Sequence, residues 1–234
     1  MGEPAVRYEL KEKAAVVQFD DGKANALSHA LIGELQGALD RAEKDARAVL
    51  LVGRPGRFSA GFDLATMRQG GDAMSSLVTA GAELALRIYE FPCPVVAACT
   101  GHAIAMGAIL LLASDTRIGA EGDFKIGLNE VAIGMGLPIF AVELARERLS
   151  KRHLTRATSE AEIYAPAAAV DAGFLDRVTA PDALLGEALA EAQRLAELPT
   201  AAHRTTKLRV RGDAVRRIRA TLDEDMKQLS GPRA

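Results

Sequence analysis

The segment Thr100–Pro138, TGHAIAMGAILLLASDTRIGAEGDFKIGLNEVAIGMGLP, decides how the rest of the chain is read. It follows Pro94-Val95-Val96-Ala97-Ala98, which reads as a buried strand, and opens with small residues: Gly101, Ala103, Ala105, Gly107 and Ala108. Ile109-Leu110-Leu111-Leu112 comes next, too apolar for a surface helix and too short to span a membrane. Small residues at a strand-to-helix junction let backbone approach a ligand closely, and the first amides of a helix lack internal partners. Such amides, with the helix dipole behind them, favour an anion or a carbonyl oxygen that is becoming one. Glu130 lies further on, in the uncharged run Gly127–Gly134. A lone carboxylate there is either a satisfied structural acid or a base, and the stretch alone leaves both readings open.

Toward the N-terminus the same design occurs again. Ala14–Phe19 and Ala48–Val52 read as strands, and residues 28–44 between them carry a helical stripe of Leu31, Ile32, Leu35, Leu39 and Ala42, with Ser28 as N-cap. Strand, helix, strand at this spacing is the βαβ unit of an α/β protein. Val49–Val52 then leads to Ser59-Ala60-Gly61, as Val95–Ala98 leads to Ala105-Met106-Gly107. Two such junctions side by side each offer one backbone N–H to a single oxygen, which makes an oxyanion hole. Met67–Ala73 is polar, contains glycine and reads as mobile; residues 74–90 read as a helix, broken by Phe91-Pro92-Cys93-Pro94. Thr116–Ala120 is a further strand. Beyond Pro138, alanine-rich helices are expected over 139–149, 155–161, 166–173, 183–197 and 213–229, with a short strand over 175–178. The expected organisation is an α/β core over residues 1–180 and a helical region over 181–234.

With 29 basic and 31 acidic residues the 234-residue chain has a formal net charge of −2, which argues against a nucleic-acid partner. Its one basic concentration, Lys207–Arg211 with Arg216–Arg219, reads as the solvated face of a helix. Cys93 and Cys99 flank one strand and are poorly placed for a bridge; free thiols fit a reducing, cytoplasmic location. Neither a signal-peptide core nor a membrane span is expected, nor a metal site, since no His/Cys/Asp cluster has ligand spacing. Ser59 lacks the GxSxG surroundings of a hydrolase nucleophile. Asp63 reads as the cap of the next helix, His102 as a packed or hydrogen-bonded ring, and Glu121 and Asp123 as solvated turn residues.

In order and spacing, FSAGFDL (Phe58–Leu64), GHAIAMGA (Gly101–Ala108) and GLNEVAIG (Gly127–Gly134) resemble the crotonase superfamily, the enoyl-CoA hydratase/isomerase fold. Gly22–Leu27 and Ala172–Val178 support the resemblance, which covers about residues 10–210. It implies a ClpP-like spiral of ββα turns followed by a C-terminal helical trimerisation region, giving a homotrimer or a hexamer. It implies an acyl-CoA thioester as substrate and no tightly bound cofactor. The backbone N–H groups of Ala60 and Met106 match the oxyanion donors, the latter where most members carry the middle glycine of a triple, so that the methionine side chain is expected to narrow or reshape the pocket. Lys23 and Ala24 match a loop that contacts CoA, while Gly61, Phe62, Asp63 and Gly107 complete the expected substrate-binding set. Glu130 matches the catalytic acid–base.

Hydratases that resemble this chain use two glutamates, and the first of those positions is Ile109 here, which carries no proton. The GLNE form of the loop resembles the Δ3,Δ2-enoyl-CoA isomerases, which work with one glutamate. A single carboxylate suffices to take a proton from C2 and return it at C4. The expected activity is therefore double-bond isomerisation, with water addition to a 2-enoyl-CoA as the alternative. An alternative of another class is a non-catalytic acyl-CoA-binding protein, against which an acid retained in the pocket position speaks.

Overall fold

Five consecutive buried residues, Ala48–Val52, form a strand that needs apolar cover on both faces. The computed structural model, which describes residues 4–230, shows how both faces are met. That strand, β4, follows β1 (Val6–Lys11), β2 (Ala14–Phe19), β3 (Ala26–Leu27) and helix α1 (His29–Asp45). Then come β5 (Gly56–Ser59), β6 (Gly61–Phe62), α2 (Leu64–Gln69), α3 (Gly71–Glu90), β7 (Val95–Cys99), β8 (Gly101–Ile104), α4 (Met106–Ala113), β9 (Thr116–Ala120) and β10 (Ile126–Gly127). The rest is a 3₁₀ turn (Val131–Ile133), α5 (Ile139–Arg148), α6 (Leu154–Thr158), α7 (Pro166–Ala172), β11 (Arg177–Thr179), α8 (Leu184–Ala196) and α9 (Thr200–Ser230).

The main sheet runs β1-β2-β4-β7-β9-β11, antiparallel only at β1–β2. A second sheet, β10-β8-β5, is parallel throughout, and β3 pairs with β6. Successive turns of chain place β4, β7 and β9 side by side in one sheet and β5, β8 and β10 in the other, each turn closing with a helix. This is a spiral of ββα turns. One face of the main sheet packs on α1, α3, α4 and α5 through residues such as Val49, Leu51, Val95 and Ala97. The opposite face, with Leu50, Val52, Val96 and Ile118, is covered by Leu184, Ala188, Ala192 and Ala196 of α8. Helix α9 lies against α3 and α5.

Ser28 caps α1, its Oγ accepting from the Leu31 amide. The segment 67–73, expected to be mobile, is instead largely helical: α2 ends at Gln69 and α3 begins at Gly71, around two left-handed glycines at 70 and 71. The last helix starts at Thr200 rather than 213. Its early basic residues are not simply a solvated face. Lys207 and Arg211 are buried and grip Asp115 at 2.7 and 2.8 Å, so their charges dock the helix on the core. Asp115 also accepts from the Val95 amide at 2.7 Å, and Arg211 donates to the Tyr89 carbonyl.

Candidate active site

The two junctions meet. Helix α4 begins at Met106 after Ala105, a non-glycine residue held at φ +52. On the other turn Gly61 sits at φ +95, and a Cβ there would lie 2.9 Å from the Ala105 Cβ and 3.5 Å from the Met106 nitrogen. Gly107 is needed for a similar reason, because a Cβ on it would meet the Ser59 carbonyl oxygen at 2.4 Å. Small residues at these positions let the backbones come together. The Met106 amide, in the first turn of α4, has no intrahelical acceptor. At the far end of α4 the Arg148 guanidinium donates to the carbonyls of Leu112 and Ser114.

The first junction corrects one expectation. The Ala60 N–H is already engaged, donating to the Ala24 carbonyl at 3.1 Å, so it is not a free oxyanion donor. Three residues on, Asp63 N–H donates to the Leu27 carbonyl at 3.0 Å across the β3–β6 pairing. Strand alternation therefore turns the Phe62 N–H away from β3. Phe62, expected only as a substrate contact, replaces Ala60 as the amide available at this junction.

A cavity of about 260 Å³ opens beside the junctions, lined among others by Ala60, Phe62, Val78, Ala105, Ile109, Glu130, Met135 and Phe140. Glu130 is the only ionisable residue in that lining. It is 9% exposed, and its Oε2 is buried with no hydrogen-bond partner. Burial among apolar neighbours disfavours its charged form and pushes the carboxyl from an ordinary 4.5 up to about 7, partly offset by a backbone hydrogen bond. Glu130 starts the 3₁₀ turn, and its carbonyl accepts from the amides of Ile133 and Met135, which fixes the loop that carries it. The loop ends at Ile139, whose amide donates to Asp225 of α9 at 2.5 Å.

The other expected residues separate into groups. Ala60 and Phe62 line the cavity with Glu130, as does Ile109, buried in α4. Met106 and Gly107 stand behind it: the Met106 side chain is fully buried and absent from the lining, so it does not narrow the pocket as expected. Asp63 is turned away to cap α2, accepting from the Thr66 amide and hydroxyl at 2.8 Å each, and those bonds hold its carboxyl below the usual range. Lys23 is exposed and Ala24 lies against Ala60. The His102 Nδ1 accepts from the Lys125 amide at 3.0 Å and the ring packs edge-on against Phe124. Ser59 is buried, its hydroxyl donating to the Asn25 carbonyl. Sequence reasoning missed Asn25 as a structural hub: it is fully buried and its Nδ2 donates to the carbonyls of Phe19 and Phe58, fastening the Asp20–Leu27 loop to the first junction. A buried amide amid small residues was the available signal.

Among the described residues no group of three His, Cys, Asp or Glu side chains is arranged to hold a metal, and no helix is long and apolar enough to cross a membrane. A profile described as enoyl-CoA hydratase/isomerase matches residues 9–232. The mitochondrial enoyl-CoA delta isomerase 1 of Homo sapiens is 31% identical over 220 residues, 92% of this chain and 73% of that protein. An enoyl-CoA hydratase/isomerase family protein from Pseudomonas syringae is 42% identical, with a TM-score of 0.94 over 96% of this chain and 98% of the other. An enoyl-CoA isomerase from Mycobacterium tuberculosis is 40% identical, with a TM-score of 0.92 over 96% and 98%. Proteins named as hydratases match as well. By profile, by sequence and by fold, the chain belongs to the enoyl-CoA hydratase/isomerase family.

Proposed function

We propose that the protein shifts the double bond of an enoyl-CoA thioester, using Glu130 as its one proton carrier. The observation that carries this reading is the cavity lining, in which Glu130 is the only ionisable residue and Ile109, at the position where the resemblance puts a hydratase's other glutamate, brings no second acid. In the proposed cycle the substrate carbonyl oxygen sits between the N–H groups of Phe62 and Met106. The Glu130 carboxylate removes a proton from C2 of a 3-enoyl-CoA, and the negative charge that spreads onto the carbonyl oxygen is held by the two amides. The same carboxyl then returns the proton at C4, leaving a 2-enoyl-CoA and an ionised Glu130. Amides preorganised for the enolate stabilise it more than the ground-state thioester, roughly 10²–10³ in rate per donor in comparable sites. A carboxyl near 7 matches the operating pH from both directions, as a group that first takes and then gives a proton requires.

In the same reading Lys23 and Ala24 contact the CoA moiety beyond the cavity, and Gly61 and Gly107 serve by close backbone approach. Residues 1–180 would serve as the catalytic core and 181–234 as the region through which a cytoplasmic homotrimer or hexamer assembles, with 1–3 and 231–234 lying outside the described residues; sedimentation of the purified protein as a monomer would remove that part. Supplying a 3-enoyl-CoA and, separately, a 2-enoyl-CoA tests the chemistry. Conversion of the first is expected. Rapid hydration of the second, with no isomerisation of the first, would instead establish the hydratase. Binding of acyl-CoA with turnover of neither would leave a binding protein.

A further inference from the structure

We infer that Gly81 of α3 is a positioning residue for the Phe62 amide of the oxyanion pair, an inference that rests on the function proposed above. A Cβ added at Gly81 would lie 2.4 Å from both Cε1 and Cζ of Phe62 and 3.4 Å from the Cε of Met106. The two side chains come from different turns of the spiral, β6 and the start of α4, and converge on one bare spot of a third element. Their backbone N–H groups are the two assigned to the substrate oxygen. Met106 is fully buried, and Phe62 is half-buried with part of its surface lining the cavity. A side chain seated in a notch fixes its own Cα, and with it the direction of its N–H. Gly81 is that notch for the Phe62 ring, with the Met106 Cε at contact distance on its other side, so the missing side chain sets where the Phe62 amide stands relative to Met106. Val78, one helical turn before it, lines the cavity, which places the notch directly behind the site.

The clash falls on the ring edge of Phe62, and relieving it moves the ring toward the cavity or the backbone away from Met106. Either motion of about an ångström spoils the alignment of donors, a scale of misplacement that costs roughly 10²-fold in rate. The test is Gly81→Ala, Phe62→Leu and the double variant, assayed with a 3-enoyl-CoA and by the infrared carbonyl stretch of a bound CoA thioester. Gly81→Ala is expected to lower kcat by about 10- to 100-fold while KM moves by less than about threefold, the pattern of a lost transition-state interaction. The bound carbonyl is expected at lower frequency in the parent protein, and in Gly81→Ala it should return toward its value in water. In the Phe62→Leu background, where the two clashing atoms are gone, the same alanine should cost far less in kcat and move the carbonyl frequency no further than Phe62→Leu alone does. If Gly81→Ala does not fold, the double variant still must fold and behave as Phe62→Leu alone. An unchanged carbonyl shift with unchanged kcat in Gly81→Ala, or an equal kcat loss in both backgrounds, overturns the inference. A parent protein that binds the thioester without shifting its carbonyl overturns the oxyanion assignment itself, which is a different result.

Discussion

Two carboxylates of this molecule, Asp115 largely buried and Glu130 buried, have opposite surroundings. Asp115 is met by Lys207, Arg211 and the Val95 amide, all within 2.8 Å. Glu130 faces Ile109, Met135 and Phe140 across a cavity, and its Oε2 has no partner. Burial alone would raise the carboxyl of Asp115, but the two cations outweigh it and hold it below the usual range; Glu130 has no cation and rises to about 7. Burial lowers Lys207 to about 8, which still leaves its ammonium mostly charged at neutral pH. Burial is common to both sites, so it is the partner that decides whether an acid ties the fold together or stays ready to move a proton.

Removing the acid function of each residue tests the contrast most strongly. Glu130→Gln is expected to lose about 10²–10⁴ of turnover while keeping CoA-ester affinity, measured by steady-state kinetics beside calorimetric binding. A variant with near-parental rate would place the base elsewhere. Asp115→Ala should instead spare the chemistry of the folded fraction and destabilise the protein by about 3–5 kcal/mol in denaturant unfolding, because it leaves Lys207 and Arg211 buried without a counter-ion. Equal stability would mean that α9 is held by its apolar contacts alone.

The pH dependences should run in opposite directions. Glu130 has a folded value above its unfolded one, so between about pH 4.5 and 7 the folded state holds the extra proton. Stability drains away as pH rises through that window, by up to about 3 kcal/mol, and Glu130→Gln should lack the decline. Asp115 has a depressed folded value; its contribution is present above the ordinary 3.8 and is lost as pH falls through the folded value. Isomerase kcat/KM should rise through about pH 7 as free Glu130 ionises. A flat profile there would show that another group carries the proton. Smallest in effect, Asp63→Ala should cost about 1 kcal/mol through loss of the α2 cap and leave the pH profile unmoved.

Much of this contrast was legible in the chain. The strands β2, β4 and β7 announced themselves as apolar runs, β9 by the repeated rhythm of strand, helix and strand, and α1 by its stripe and cap. Glu130 stood out because nothing charged surrounds it for several residues on either side. What did not show were the edge strand β1, exposed and charged, and β3, β5, β6, β8 and β10, two to four residues each, too short to display a period and each containing glycine or alanine. Their loss mattered at the site. The choice between Ala60 and Phe62 turns on which N–H the β3–β6 pairing consumes, a question of register with no trace in composition. The pairing of Asp115 with Lys207, 92 residues away, was likewise invisible, and so a charge that docks a helix inside the protein read as one facing water.

Arg148 gives α4 an electrical asymmetry. The helix is eight residues long, so its two poles lie only about 12 Å apart, and in a dry interior each would normally weaken the other's reach. Burial lowers the Arg148 guanidinium only to about 10, so it remains cationic at neutral pH and cancels the negative pole at Leu112 and Ser114. The cavity at the opposite end therefore feels an almost unopposed positive pole. On the proposed function, a single arginine on α5, with no place in the cavity wall, turns a short apolar helix into a one-ended source of field aimed at the substrate oxygen that bears the charge.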